Sequence, residues 1–222
     1  MRVLVKGTGV AGLTAAFELA RRGVVVAVSE RAAAPFRGAS FYAGGMLAPW
    51  CERESAEERV LTLGKAALGW WDDATPGLVV RNGTLVIAPA RDKAELSRFA
   101  SRTSGYRSVN EAEIADLEPD LAGRFRSGLY FADEGHLDPR LALQSLYEQL
   151  CGMGVLFHMG VSVDEQRFDR VVDCTGSAAV GEIPNLRGVR GEMLYLATSE
   201  VSLSRPVRLL HPRIPLYIVP RE

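Results

Sequence analysis

Residues 2–30 read RVLVK GTGVAG LTAAFELARRG VVVAVSE, and this stretch decides the fold. Arg2–Lys6 is a short β-branched run of strand type. Gly7-Thr8-Gly9-Val10-Ala11-Gly12 follows without a spacer. From Val10 to Arg22 the apolar spacing and the Ala, Leu and Glu content predict a helix, which Gly23 ends. Val24–Ser29 is a continuous apolar run, the pattern of a strand buried on both faces of a parallel sheet. The unit is β-α-β with its glycines at the first turn.

Each glycine has a physical task in such a turn. Gly7 permits the tight reversal, Gly9 lets a pyrophosphate approach the backbone, and Gly12 allows the helix to pack closely on the strand. The helix N-terminus presents N–H groups and a partial positive charge to phosphate. Glu30 ends the second strand, where it can accept hydrogen bonds from a ribose diol and would repel a 2′-phosphate. With glycine at about one residue in ten, a chance G-x-G-x-x-G match is expected roughly 0.2 times in such a chain. The strand before it, the helix after it and the acid at the next strand end make it a dinucleotide fingerprint.

Outward from this unit, residues 32–50 are rich in Gly, Ala, Ser and Pro and read as a long loop. A helix is predicted from Glu54 to Trp71 and a strand from Thr84 to Ala88. Asp92-x-x-Glu95 predicts a capped helix to about Arg102, and a shorter helix starts near Asn110 and stops before Pro119. Asp138-Pro139 opens a helix reaching Gly152. Val155–His158 and Arg170–Cys174 are strand-like. Val189–Ala197, Val207–His211 and Leu216–Val219 predict antiparallel strands. The fold class is α/β: a Rossmann-like parallel layer from residues 1–74 and 133–182, and a mixed or antiparallel layer from 75–132 and 183–222.

Composition bounds the function. The 222 residues carry 26 basic and 27 acidic side chains, a net charge of −1, and 47% are apolar. That balance provides no electrostatic footprint for nucleic acid or an anionic membrane. No apolar run approaches the ~20 residues that span a bilayer. Cys51, Cys151 and Cys174 are three isolated cysteines, which fits a reducing cytoplasm, and with His136, His158 and His211 equally scattered no metal site is expected. His136, in a loop before a helix, reads as structural. Arg187, Arg190, Arg205, Arg208 and Arg213 share their segment with Glu192, Glu200 and Glu222 and read as a solvated face.

The fingerprint alone does not separate NAD from FAD. Gly38–Leu47 (GASFYAGGML) is small-residue-rich enough to lie along a ribityl chain and flavin ring, and Val171–Gly176 (VVDCTG) ends a buried strand in Thr-Gly. GTGVAGL with Glu30, GASFYAGGMLAP, GHLDP (Gly135–Pro139), VVDCTG, LRGVRGEML (Leu186–Leu194) and YIVPR (Tyr217–Arg221) occur in an order that resembles the D-amino-acid-oxidase-like flavoproteins. Among these they are most similar to the glycine oxidases of thiamine biosynthesis.

The resemblance implies FAD as cofactor. Gly7, Gly9, Val10, Ala11, Gly12, Glu30 and Arg31 would hold its ADP half, and Ser40 would contact the phosphate–ribityl region. Gly44, Gly45 and Met46 would line the flavin ring, Val161 would read the adenine through its backbone, and Thr175 and Gly176 would lie by the pyrophosphate. Tyr217 would face the substrate, so Tyr217 and Met46 are the residues expected at the reacting centre. The implied reaction oxidises a small amino acid, glycine first, to an imine, with oxygen reduced to peroxide. Sarcosine or a D-amino acid is the rival substrate, and a non-catalytic dinucleotide-binding module or fragment is the rival class. The resemblance leaves a homo-oligomer open. The family pattern continues past YIVPR with a carboxylate-clamping arginine, so a C-terminally incomplete chain is expected.

Overall fold

The computed structural model describes residues 1–214 and 216–221. In chain order the first elements are β1 (Arg2–Lys6), α1 (Val10–Ala20), β2 (Val25–Glu30), β3 (Met46–Leu47), α2 (Pro49–Glu52), α3 (Glu58–Ala74) and β4 (Thr84–Ile87). Then come α4 (Lys93–Ala100), β5 (Arg107–Asn110), α5 (Glu111–Leu117), β6 (Ser127–Phe131) and β7 (Gly135–His136). The series ends with α6 (Pro139–Gly152), β8 (Leu156–Met159), β9 (Arg170–Asp173), β10 (Val207–Leu209) and β11 (Leu216–Ile218).

Two compact units result, residues 1–43 with 139–194 and residues 44–138 with 195–222. Residues 44–74 and 133–138, expected with the parallel layer, therefore group with the second unit, and 183–194 with the first. Pairing explains the first shift: β3 bonds to β7, and β7 continues directly from the segment that follows β6.

In the first unit, four parallel strands lie in the order β8-β2-β1-β9. The centre is apolar on both sides, as the continuous runs require: Val3, Leu4, Val5, Val26, Ala27 and Val28 are buried. Helices α1 and α6 pack on each other, and Leu13, Ala16 and Phe17 of α1 and Ala142, Leu143, Leu146 and Leu150 of α6 are buried. Each large one contributes ~1.5–3 kcal/mol. This is the parallel Rossmann-like layer.

The second unit is built on a mixed sheet of order β11-β10-β4-β6-β5. Both faces of β4 are covered, because Val86 joins Cys51, Phe99, Leu129 and Phe131 on one side while Leu85 and Ile87 join Val109, Ile114 and Val207 on the other. Strands β5 and β6 were not legible in the sequence. Arg107-Ser108-Val109-Asn110 offers only one apolar residue, and its strand exists because β6 lies alongside.

Five expectations about individual elements are corrected. Residues 189–197 form no strand and are exposed throughout, since alternating apolar residues make a strand only where a neighbour accepts the ladder. Strand β10 is antiparallel to β11 but parallel to β4. The supposed loop 32–50 contains β3 and the start of α2, and the helix expected from Glu54 begins at Glu58. Asp92 precedes α4 without a side-chain cap, because a 3-10 turn at Ala90–Asp92 gives it φ −106° and ψ 24° instead of extended geometry. By contrast, Asn110 and Glu113 form a complete capping box on α5.

Candidate functional site

Parallel strands bind ligands beyond their carboxyl ends. In the first unit those ends are Lys6, Glu30, Met159 and Asp173, and the residues expected to hold a cofactor follow them: Gly7–Gly12, Arg31, Val161, and Thr175 with Gly176. The β1–α1 turn needs its glycines for reasons visible in the backbone. Gly7 has φ +107°, and a Cβ there would lie 2.6 Å from the Cys174 carbonyl oxygen. A Cβ on Gly12 would lie 1.9 Å from the Gly7 carbonyl oxygen, so α1 could not approach the turn. At Gly9, the N-cap of α1, a Cβ would meet only the Ser40 hydroxyl, at 3.2 Å.

Gly9 therefore keeps the approach to the helix N-terminus open, where the first N–H groups have no intrahelical acceptor. One of them is used within the chain, since Val10 N–H donates to Ser40 Oγ at 3.0 Å. That bond brings Ser40 from the following loop to the fingerprint. The first turn of α1 carries no acidic side chain, so nothing there repels an anion.

Glu30 is anchored from three directions. Oε2 accepts from the Thr8 N–H at 3.0 Å and from the Thr8 hydroxyl at 2.7 Å, and Oε1 accepts from Ala32 N–H at 3.1 Å. Burial pushes this carboxyl up, but the bonds from Thr8, Ala32 and Arg31 outweigh it and hold Glu30 below its ordinary range. It is an ionised acceptor with lone-pair capacity left on Oε1, as a ribose diol requires. Thr8 also accepts from Phe36 N–H at 3.3 Å, and the Phe36 ring meets Tyr147 of α6 edge-on at 5.7 Å. Thus Thr8 ties the turn, the strand end and the loop together. The sequence did not single it out, because the x of G-x-G is chemically unconstrained in the motif.

Across β1, Asp173 Oδ1 accepts from Thr175 N–H at 2.9 Å and from its hydroxyl at 2.6 Å, and these bonds hold the Asp173 carboxyl below its ordinary range. Thr175 is thereby fixed beside the Cys174 carbonyl that Gly7 approaches. Gly176 adopts φ +60°. Val161 is 57% exposed just after Gly160, whose N–H donates to Glu30 O at 2.9 Å. Arg31 extends to Glu182 at 3.8 Å. These residues fit the adenosine-diphosphate half of FAD: an open helix N-terminus, an ionised ribose acceptor and backbone free of Cβ atoms.

In the second unit, Gly44, Gly45 and Met46 lie on one short ladder. Met46 pairs with His136, Leu137 N–H donates to Gly45 O at 3.0 Å, and Arg221 Nη2 donates to Gly44 O at 3.2 Å. Gly45 needs its φ of +79° to enter that ladder. His136 is 5% exposed, and burial followed by the charge of Arg221 pushes its imidazole down, so it is held neutral. Tyr217 lies on β11 and is 41% exposed. Burial of its phenol, with the Glu52 carboxylate beside it, pushes its pKa up and keeps it protonated.

The surroundings of three charged residues of this unit, Glu134, Arg205 and Arg208, escaped the sequence. Glu134, fully buried, accepts from Cys51 N–H at 2.8 Å; burial pushes its carboxyl up to about 7 against the pull of that bond. Arg205 and Arg208 do not belong to a solvated face. Arg205 Nε sits 2.8 Å from the buried Glu118 carboxylate, and Arg208 is 8% exposed. Only tertiary pairing could reveal them. Among the described residues no group of three or more His, Cys, Asp or Glu could hold a metal, and no helix is long and apolar enough to cross a membrane.

Comparison with known proteins places this geometry. The family described as DAO, FAD dependent oxidoreductase, matches residues 2–222. A Rhizobium etli protein named as a thiamine biosynthesis oxidoreductase, ThiO, is 60% identical over 223 residues, covering 100% of this chain and 68% of that protein. A D-amino-acid oxidase of Rubrobacter xylanophilus is 32% identical over 204 residues, covering 88% of this chain and 59% of that one. The chain thus spans about two thirds or less of the length of these relatives. Among solved structures, glycine oxidase from Geobacillus kaustophilus matches with TM-score 0.69 at 20% identity, over 99% of this chain and 68% of that chain. L-Proline dehydrogenase from P. horikoshii matches with TM-score 0.68 at 16% identity, over 94% and 64%. At these identities the two structures speak for the fold.

Proposed function

Because the chain belongs to the DAO family of FAD-dependent oxidoreductases, we propose that it serves the oxidation of a small amino acid, glycine foremost, to its imine, with oxygen as final electron acceptor. The observation that carries the substrate is the 60% identity to ThiO along the whole chain, against 32% to a D-amino-acid oxidase. Thiazole assembly for thiamine is then the destination of the product. Three cysteines that no disulfide joins are in keeping with a cytoplasmic setting.

Roles follow the chemistry of each residue. In the first unit, Gly7, Gly9, Val10, Ala11 and Gly12 would cradle the pyrophosphate, Glu30 the ribose and Arg31 the adenosine edge. Ser40, Thr175 and Gly176 would flank the phosphates, and the Val161 backbone would meet adenine. Among second-unit residues, Gly44, Gly45 and Met46 would line the flavin ring, where backbone without side chains permits close approach. FAD, when bound, supplies the hydride acceptor. Tyr217 would face the amino acid as a neutral phenol, able to orient it without accepting a charge.

An anaerobic visible spectrum of the full-length, FAD-loaded protein tests this. Glycine should bleach the oxidised flavin bands, and turnover with glycine should exceed that with sarcosine or a bulky D-amino acid. A flavin that stays oxidised with glycine but bleaches with a D-amino acid would replace the substrate. Protein that takes up NAD and refuses FAD would overturn the enzyme class.

A further inference from the structure

Arg208 and Tyr217 are register partners across the β10–β11 ladder, so both side chains leave the sheet on one face. The guanidinium carbon lies 4.7 Å from the Tyr217 ring centroid and 4.8 Å from that of Phe99. Nη1 donates to the Cys51 carbonyl at 2.9 Å, and Nη2 stands 3.5 Å from Glu54 Oε2. The phenol of Tyr217 is hydrogen-bonded to Glu52. Partners for both members of the pair therefore come from one short stretch, residues 51–54. Cys51 is itself pinned from the other side, where its N–H donates to the buried Glu134 carboxyl.

A cation at this position is expensive by the ordinary rules of burial. Its neighbours Cys51, Val86 and Phe99 belong to an apolar cluster, and a side chain such as methionine would fill it without losing hydration. What an arginine does and methionine does not is present a flat, charged plate that lies against an aromatic face while donating in its own plane. Lysine would supply the charge without the plate. The hydrogen bond from Tyr217 to Glu52 holds only the tip of the phenol, leaving the ring to rock about it. Contact on the ring face removes that freedom.

We propose that Arg208 is a positioning residue for Tyr217: clamped by the Cys51 carbonyl and Glu54, its guanidinium braces the tyrosine ring and fixes the direction in which the phenol meets the amino-acid substrate. The substrate-facing part of this statement rests on the function proposed above.

The experiment uses the full-length, FAD-loaded protein labelled with 3-fluorotyrosine, the Tyr217 fluorine line being assigned by its loss in Tyr217→Phe. In Arg208→Met that line should move and broaden while the flavin spectrum stays as in the parent. KM for glycine should rise about tenfold, with kcat changed less, and Arg208→Lys should not restore it. Arg208→Met combined with Tyr217→Phe should be no worse than Tyr217→Phe alone. An unmoved Tyr217 line, or losses that multiply in the double variant, would overturn the proposal. Should Arg208→Met fail to fold, Glu54→Gln loosens the clamp at its carboxylate end and should move the same line by a smaller amount; no movement there overturns the proposal equally. Glycine that leaves the parent flavin unperturbed would count against the substrate reading, which the fluorine line does not depend on.

Discussion

Thr8 holds Glu30 by two bonds to a single oxygen, the backbone N–H at 3.0 Å and the hydroxyl at 2.7 Å. A threonine between two glycines thereby fixes the acid that ends the neighbouring strand. Hydrogen bonds to charged groups contribute ~1.5–3 kcal/mol. Thr8→Val keeps the shape and loses one of these bonds, so FAD affinity should fall about tenfold, read by quenching of flavin fluorescence on titration. Acid sensitivity follows from the same contacts. A depressed carboxyl stabilises the fold above the unfolded value, near ~4.3, and that contribution disappears as pH falls through the lower folded value. Thr8→Val should therefore narrow the difference in melting temperature between pH 6 and pH 3.

Three glycines of one turn should respond differently to alanine. Gly7→Ala places a Cβ 2.6 Å from the Cys174 carbonyl oxygen at φ +107°, and Gly12→Ala places one 1.9 Å from the Gly7 carbonyl oxygen. Backbone blocks both, and each should cost at least ~2 kcal/mol of stability in urea unfolding. Gly9→Ala meets only the Ser40 hydroxyl at 3.2 Å, a side-chain atom that can give way. Its unfolding midpoint should stay close to the parent's while FAD affinity drops more than tenfold. Equal stability losses at all three positions would refute the assignment of Gly9 to ligand approach.

Glu134 should make the fold less stable as pH rises. Its carboxyl is raised to about 7, so between the unfolded value and about 7 the folded state carries more protons than the unfolded one. Stability contributed by the neutral acid is full below ~4.3 and declines until about 7, the opposite of Glu30. Glu134→Gln, which keeps an oxygen acceptor for Cys51 N–H, should flatten the melting temperature between pH 5 and pH 7.5. A slope as steep as the parent's would show that Glu134 is not its source.

Arg205 should prove a stability residue with no effect on cofactor binding. Its Nε donates to Glu118 Oε1 at 2.8 Å, Nη1 to Asn82 O at 2.7 Å and Nη2 to Leu117 O at 2.8 Å. Glu118 is 1% exposed and also accepts from Ser204. Removing one partner of such a buried pair strands the other charge, and Arg205→Met should cost ~3–5 kcal/mol. Chemical unfolding and a flavin titration at low denaturant would separate the two effects.

What the sequence determined by itself was local or followed from a run of motifs. The β1–α1–β2 unit is legible because its defining features are local: the positive φ of Gly7, the Gly12 approach to the Gly7 carbonyl, and the pairing of β1 with β2 all join residues within thirty positions, although β9 and the Cys174 carbonyl complete it from far along the chain. The same holds for α5, whose Asn110 and Glu113 cap each other across three residues, and for α6 behind Asp138-Pro139. Family membership was legible from the order of short motifs along the chain. Tertiary structure decided what no local pattern encodes. Val189–Ala197 has a strand's composition and no strand beside it, whereas Arg107–Asn110 has little of that composition and becomes β5 because β6 offers a ladder. Strand β10 lies parallel to β4, with Val207 opposite Leu85, more than a hundred residues earlier. That placement turns Arg208 from one of five surface arginines into a buried brace. A strand's partner and a charge's burial are properties of what lies alongside, and the chain acquires both only when distant segments meet.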